Sequence, residues 1–327
     1  NLLSDDTLVR QCASPSKNSL IHPSGFYIIG FSTLPYTNLY MIFLGVVYLT
    51  TVICNCFVIV IIWMERCLHT PKFAAVANLA LVDLILSTAV IPSMLKTFLF
   101  NDSFIPFSHC LMQMYFYTCF LSMESYSLAV LSFDRFVAIC FPLRQHSINS
   151  MTCMLCIIGA VWAYCIGRVM FSVIIILNLS FCGSVKVYSY LCDYAPVFRL
   201  ACNDYSLHYN TATTFSLTNI FVPLSFIIIS YMSILITVFR MKSIVSRYKA
   251  IATCLEHLIL VAIFFIPILT LYIIGFFLFK VDPDLRTLGL SLSSSIPPFV
   301  NPIIYSLKTK EIRQKAYILI CKIKIHP

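Results

Sequence analysis

Two acids lie deep inside apolar runs of this chain, Asp83 in "LALVDLILS" and Glu124 in "FLSMESYSL". A carboxylate surrounded by hydrocarbon is expensive, so it is retained where it is paired or used. Two of them at similar depth in neighbouring helices either share a proton or hold a cation between them. A second charged spot is Asp134-Arg135, at the end of a run and followed closely by Cys140 and Pro142. An acid and a base there can neutralise each other while helices are closed. They separate at modest cost where water is near, which is one half of a two-state element. The alternative is a helix-end pair that only anchors its side chains at the interface. Arg168 is a cation inside another apolar run. Snorkelling to the interface is its cheaper arrangement; the other is to reach into a pocket and bias it toward acids.

The runs that must position these residues dominate the chain. Of its 327 residues, 60% are hydrophobic and 11% charged, and the mean hydropathy is +0.90. Ordinary soluble domains carry roughly a quarter of their residues charged, so this is a membrane protein's composition. The net charge of +9 does not signal nucleic acid, because Lys and Arg form no dense basic run and sit at segment ends. Membrane lipid is the expected partner; nucleic acid is not. A crossing helix needs about 20 mostly apolar residues, and suitable runs fall at 38–63, 73–98, 107–140, 152–177, 210–240, 248–279 and 287–307. The expected fold is an all-α membrane protein, a seven-transmembrane helix bundle. "KTKEIRQKAYILI", from Lys308, is too short and charged to span and reads as an amphipathic interfacial helix. Three segments follow: 1–37, extracellular and without a signal-peptide pattern; 38–307, the membrane domain; and 308–327, a cytoplasmic amphipathic helix and tail.

Orientation comes from the basic residues. With the N-terminus outside, the inner side carries about twice as many Lys and Arg as the outer. The outer side then holds Cys12, Cys110, Cys182, Cys192 and Cys202, where two disulfides are expected and Cys12 is left over. The sequons at Asn101 and Asn178 fall on that side too, as expected glycosylation sites.

Five stretches carry a resemblance. "SFDRFVAICFPL" (Ser132–Leu143) resembles the Asp-Arg-Tyr signature of rhodopsin-like G-protein-coupled receptors, with Phe136 in the tyrosine's place. It is more closely similar to the odorant-receptor branch. "LHTPKFAAVANLALVDL" (Leu68–Leu84), Ser230-Tyr231, "KAIATCLEHL" (Lys249–Leu258) and "PPFVNPIIYSLKTKEIR" (Pro297–Arg313) resemble further motifs of that branch, in order. The departures are Leu131-Ser132-Phe133 before the Asp-Arg pair, Glu256 before His257, and Phe264-Phe265-Ile266 followed by Pro267. The chain thus resembles a divergent odorant receptor.

That resemblance implies a receptor, not an enzyme, in the plasma membrane of olfactory cilia. It would bind a small odorant from outside and activate a heterotrimeric G protein of the stimulatory, olfactory type, raising cAMP. Coupling and activation would involve Asp134, Arg135, Tyr231, Lys249, Pro302 and Tyr305, with Pro267 and Pro302 as cheap bending points. Glu256 would pair with Lys249 or Arg135 as a second lock; the alternative is a side chain paired locally with His257 or facing the inner cavity. The resemblance also implies no required cofactor but a sodium ion as allosteric modulator, held by Asp83 and Glu124 with Asn55, Ser87 and Asn301. It implies the pairings Cys110–Cys192 and Cys182–Cys202. The pocket is expected among Tyr117, Thr118, Leu121, Ser122 and Ser125 in the third span and Phe215, Ser216 and Asn219 in the fifth. Phe265, Leu269 and Tyr272 in the sixth and Ser291 and Ser294 in the seventh complete it.

Two absences narrow the class. Tyr117 stands where amine receptors carry an acid, and Ser295 where opsins carry a Schiff-base lysine. The alternatives are another rhodopsin-like receptor for a peptide or lipid, and a transporter or channel. The latter calls for repeats or pore-lining charges that the sequence does not display.

Overall fold

The computed structural model describes residues 21–32, 34–277, 282–308 and 314. Cys12, Cys321 and nearly all of the expected interfacial helix at 308–327 lie outside the described residues. Among the described residues seven long helices form the bundle: α1 (Thr37–Met64), α2 (Pro71–Met94), α3 (Phe107–Cys140), α4 (Met151–Ile176), α5 (Ser206–Arg240), α6 (Ile244–Phe277) and α7 (Pro283–Lys308). Among the described residues, α1, α2 with its extension to Leu99, α4, α5 and α6 are long and apolar enough to cross a membrane. α3 qualifies together with the segment Pro142–Ile148, which bends away from it by 111°. α7 is amphipathic, its "SLSSSIPP" stretch being the polar interruption.

Local chemistry sets the helix ends and bends. Pro71 opens α2 at a position where its missing N–H is not needed. Ser150 caps α4 by accepting from the Cys153 amide at 3.1 Å. Pro92 withholds one backbone donor inside α2, and a π-helical turn, Leu95–Leu99, follows it. Pro223 in α5, Pro267 in α6 and Pro297, Pro298 and Pro302 in α7 are further breaks in the backbone ladder.

α3 runs through the middle of the bundle and packs on α2, α4, α5 and α6. At one end it is overlain by a feature absent from the all-α expectation. This is a three-stranded sheet of β1 (Gly25–Ile28), β2 (Phe104–Pro106) and β3 (Lys186–Val187), in the order β2-β1-β3. β1 pairs antiparallel with β2 and parallel with β3. A side chain at Gly25 would collide with the Ile105 carbonyl, so the close β1–β2 approach depends on glycine. Beneath the sheet Phe26, Ile28, Met114, Val187 and Phe198 are buried together.

Candidate ligand and signalling sites

Asp83 and Glu124 are fully buried near the centre of the bundle, brought together by α2 and α3. Asn301 of α7 bridges them. Its Nδ2 donates to both Asp83 oxygens at 3.2 and 3.0 Å and to Glu124 Oε1 at 3.4 Å. Glu124 Oε2 and Asn55 Oδ1 find no protein partner. The other expected members of this set face elsewhere. Ser87 donates to the backbone carbonyl of Asp83 at 2.6 Å, a helical back-bond. Asn55 donates to the carbonyls of Thr51 and Pro298, at 3.0 and 3.1 Å, tying α1 to α7. The cluster is rich in acceptors and short of donors. Hard, oxygen-only ligands of this kind suit a proton or a small cation.

At the end of α3 remote from the sheet, the Asp134-Arg135 pair is not arranged as expected. Among the described residues no ion pair joins the two. The Asp134 carboxylate accepts from Asn149 Nδ2 at 2.8 Å, in the turn before α4. Consecutive residues on a helix point about 100° apart and do not face each other, which is why self-neutralisation fails. Asp134 is buried and Arg135 half-buried. Beside them a cavity of about 600 Å³ is lined by Lys72, Asp134, His146 and Asn149, among others. Tyr231 of α5 meets His257 of α6 (Oη to Nδ1, 2.7 Å), and His257 Nε2 meets the Leu128 carbonyl of α3 at 3.0 Å. Tyr305 of α7 is buried, its hydroxyl without a partner among the described residues, and Pro302 is buried one turn before it. Lys249 is exposed, and Glu256 makes no ion pair with Lys249, Arg135 or His257.

At the sheet end, two disulfides shape the long connection between α4 and α5. Cys110–Cys192 joins it to the start of α3, with Cα atoms 5.3 Å apart, and Cys182–Cys202 closes it on itself at 5.8 Å. The first bond delivers Tyr190, two residues upstream, into the bundle. Its hydroxyl lies 2.8 Å from Tyr117 Oη and 3.4 Å from Ser294 Oγ, spanning α3 and α7. Tyr40 meets Ser291 at 2.6 Å. Tyr190 and Tyr40 were not anticipated; only the position of Tyr190 beside a bridged cysteine could have flagged it. Asn101 and Asn178 are exposed at this end.

Arg168 corrects the snorkelling expectation. It is 7% exposed and points between α3 and α5. Nη2 donates to Ser122 Oγ at 2.6 Å and Nη1 to the Phe215 carbonyl at 3.3 Å, with Thr218 Oγ1 at 3.5 Å. Its guanidinium lies 4.9 Å from the Phe215 ring centre and 5.4 Å from that of Tyr164. Asn219 also donates to Ser122, at 2.7 Å.

The expected pocket residues therefore divide. Ser122, Phe215 and Asn219 gather round Arg168, with Thr118 one turn from Ser122 on the same side of α3, while Tyr117, Ser291 and Ser294 gather under Tyr190 and Tyr40. Ser216 is half-buried and Tyr272 exposed. Phe265 is buried in the packed core against Phe264, with Leu121 and Leu269 alongside, and the hydroxyl of Ser125 is spent on the Ser122 carbonyl at 2.8 Å.

Comparison with known proteins agrees with this architecture. The olfactory receptor family model matches residues 44–323. Human olfactory receptor 1L1 is 36% identical over 302 residues, covering 91% of this chain and 82% of the relative. Human olfactory receptor 5K4 is 37% identical over 291 residues, 88% of each chain. Rat olfactory receptor 1468 is 32% identical over 288 residues, 88% of this chain and 90% of the relative. A bundle of seven long helices with buried carboxylates at its centre, matched along nearly its whole length, belongs to the olfactory receptor family.

Proposed function

We propose that this odorant receptor sits in the plasma membrane with its sheet end outside and couples to a stimulatory, olfactory-type G protein at the opposite end. A small odorant entering beneath Tyr190 would contact Tyr117, Ser291 and Ser294 on one side and Thr118, Ser122 and Asn219 on the other. Ligand binding shifts an equilibrium between helix arrangements only by its differential affinity for them, so the contacts must differ between closed and open bundles. Tyr190 is the natural candidate, because it joins the outer loop to both α3 and α7.

At the inner end, opening would part α6 from α3 and free Arg135 for the G protein. Pro267 and Pro302 lower the cost of that bend. In the middle, a sodium ion held by Asp83 and Glu124 would act as a modulator. It would supply a compensating charge to two carboxylates that Asn301 alone bridges. The chain's own residues then hold α2, α3 and α7 together, favouring the closed arrangement.

The observation that carries the signalling reading is the inner closure, where Asn149 holds Asp134 beside an open cavity and His257 ties α5 and α6 to α3. The test is cAMP in cells co-expressing this chain with an olfactory-type stimulatory G protein, screened with mixed small odorants. An odorant-dependent rise lost in Arg135→Ala supports it. Silence from a receptor shown to be on the cell surface refutes the assignment of ligand or G protein.

A further inference from the structure

Arg168 presents a charge with no counter-ion. Among the described residues no carboxylate lies within ion-pair distance of it. The titratable groups close enough to sense its charge are Cys119, Tyr126 and Cys165, none an anion at neutral pH. A guanidinium cannot discharge itself by losing a proton, so burial does not relieve it as it would a lysine. Neutral oxygens and two aromatic faces solvate it in part.

What remains unsatisfied around it has a definite chemistry. Arg168 Nε and Thr118 Oγ1 are both buried without a partner, and each carries a hydrogen to donate. Asn219 Oδ1 is unpartnered too, but it is an acceptor, the amide's NH₂ group being given to Ser122. Arg168 is the eighteenth of 26 residues in α4 and lies two helical turns from the helix end nearer the sheet. Depth, convergence on α3 and α5, and unused donors thus coincide.

We propose that Arg168 and Thr118, set beside Ser122, form a subsite for a carboxylate, and that this receptor's ligands are small organic acids. The inference rests on the odorant-receptor reading and names the ligand class within it. The ligand's carboxylate would accept from the guanidinium and the Thr118 hydroxyl. Its hydrocarbon part would lie toward the aromatic and hydroxyl side chains beneath Tyr190. A planar guanidinium is well matched to a carboxylate because two parallel N–H donors meet two oxygens. A purely structural Arg168, pinning α3, α4 and α5 together, would affect all ligands alike.

The experiment compares hexanoate, octanoate and decanoate with the alcohols of the same chain length. The readouts are cAMP in cells and the thermal unfolding of the purified full-length receptor in detergent. The wild type should respond to, and be stabilised by, at least one acid in preference to its alcohol. Arg168→Gln, at matched surface level, should lose roughly ten- to a hundredfold in potency toward the acid while keeping its response to any neutral agonist. Arg168→Lys should recover part of the loss. Alcohols equal to or better than acids on the wild type would overturn the proposal without needing any variant to fold. An unchanged acid potency in Arg168→Gln, or an equal loss toward acids and neutral agonists, would overturn it too. Stabilisation by acid without cAMP would uphold the subsite and reject the G-protein assignment, whereas neutral odorants raising cAMP while acids do nothing would do the reverse.

Discussion

Tyr231 on α5 donates its phenolic proton to Nδ1 of His257 on α6, across 2.7 Å. The direction follows from the other ring nitrogen. Nε2 lies 3.0 Å from the Leu128 carbonyl, which can only accept, so Nε2 carries the hydrogen and Nδ1 of the neutral ring accepts. One imidazole thereby joins α3, α5 and α6 without a charge.

Removing the hydroxyl in Tyr231→Phe leaves a buried acceptor unpaired. The expected loss is about 1–3 kcal/mol of stability in the closed form. Thermal unfolding of the purified receptor checks this. Combining Tyr231→Phe with His257→Phe should cost less than the sum of the two singles, because both remove the same contact.

Asn149→Ala deprives Asp134 of its hydrogen bond. A bond to an ionised group contributes about 1.5–3 kcal/mol. Losing it from the closed arrangement should raise odorant-free cAMP roughly tenfold at equal surface level. An unchanged basal signal would show that the Asn149–Asp134 contact is not part of the closure.

Sodium dependence separates the two readings of the central carboxylates. Replacing choline chloride with sodium chloride at constant ionic strength should raise the wild-type melting temperature. The difference should vanish in Asp83→Asn. A pair that merely shares a proton would show no sodium effect in either protein.

The disulfides differ in the length of chain they close, 82 residues for Cys110–Cys192 and 20 for Cys182–Cys202. On chain entropy alone the longer loop contributes about 1 kcal/mol more. It also delivers Tyr190 between α3 and α7. Cys192→Ser should therefore reduce surface expression and odorant response more than Cys202→Ser, as flow cytometry and cAMP would record.

The helices were legible because span length is a strong signal. The expected 107–140 and the observed Phe107–Cys140 coincide, and 152–177 became Met151–Ile176. The sheet was not legible, since strands of two to four residues, paired with partners roughly 80 and 160 positions away, carry little local pattern. In the sites, Asp83 and Glu124 stood out because a buried acid is rare, and Asn301 was placed with them by family position. Asn149 and Tyr190 carried no comparable mark: an Asn in a turn and a Tyr in a loop are ordinary until the fold sets them against Asp134 and Tyr117. The Arg168 environment was misjudged because cost alone favoured the interface. The hydroxyls and amide that make burial tolerable come from α3 and α5, about 40 to 50 residues away in either direction.

The central position of β1 also orders events during synthesis. Tyr27 leaves the ribosome long before its partner Lys186 exists, a delay on the order of ten seconds or more at ordinary elongation rates. Until then the strand can have only its β2 edge filled, once Phe104–Pro106 has been made, and its β3 edge stays open. The sheet can therefore close only after α4 has been made. A peptide tag placed ahead of Ile21 leaves the strand's pairing intact, whereas one inserted within Gly25–Ile28 would break it and leave this end of the finished bundle uncovered.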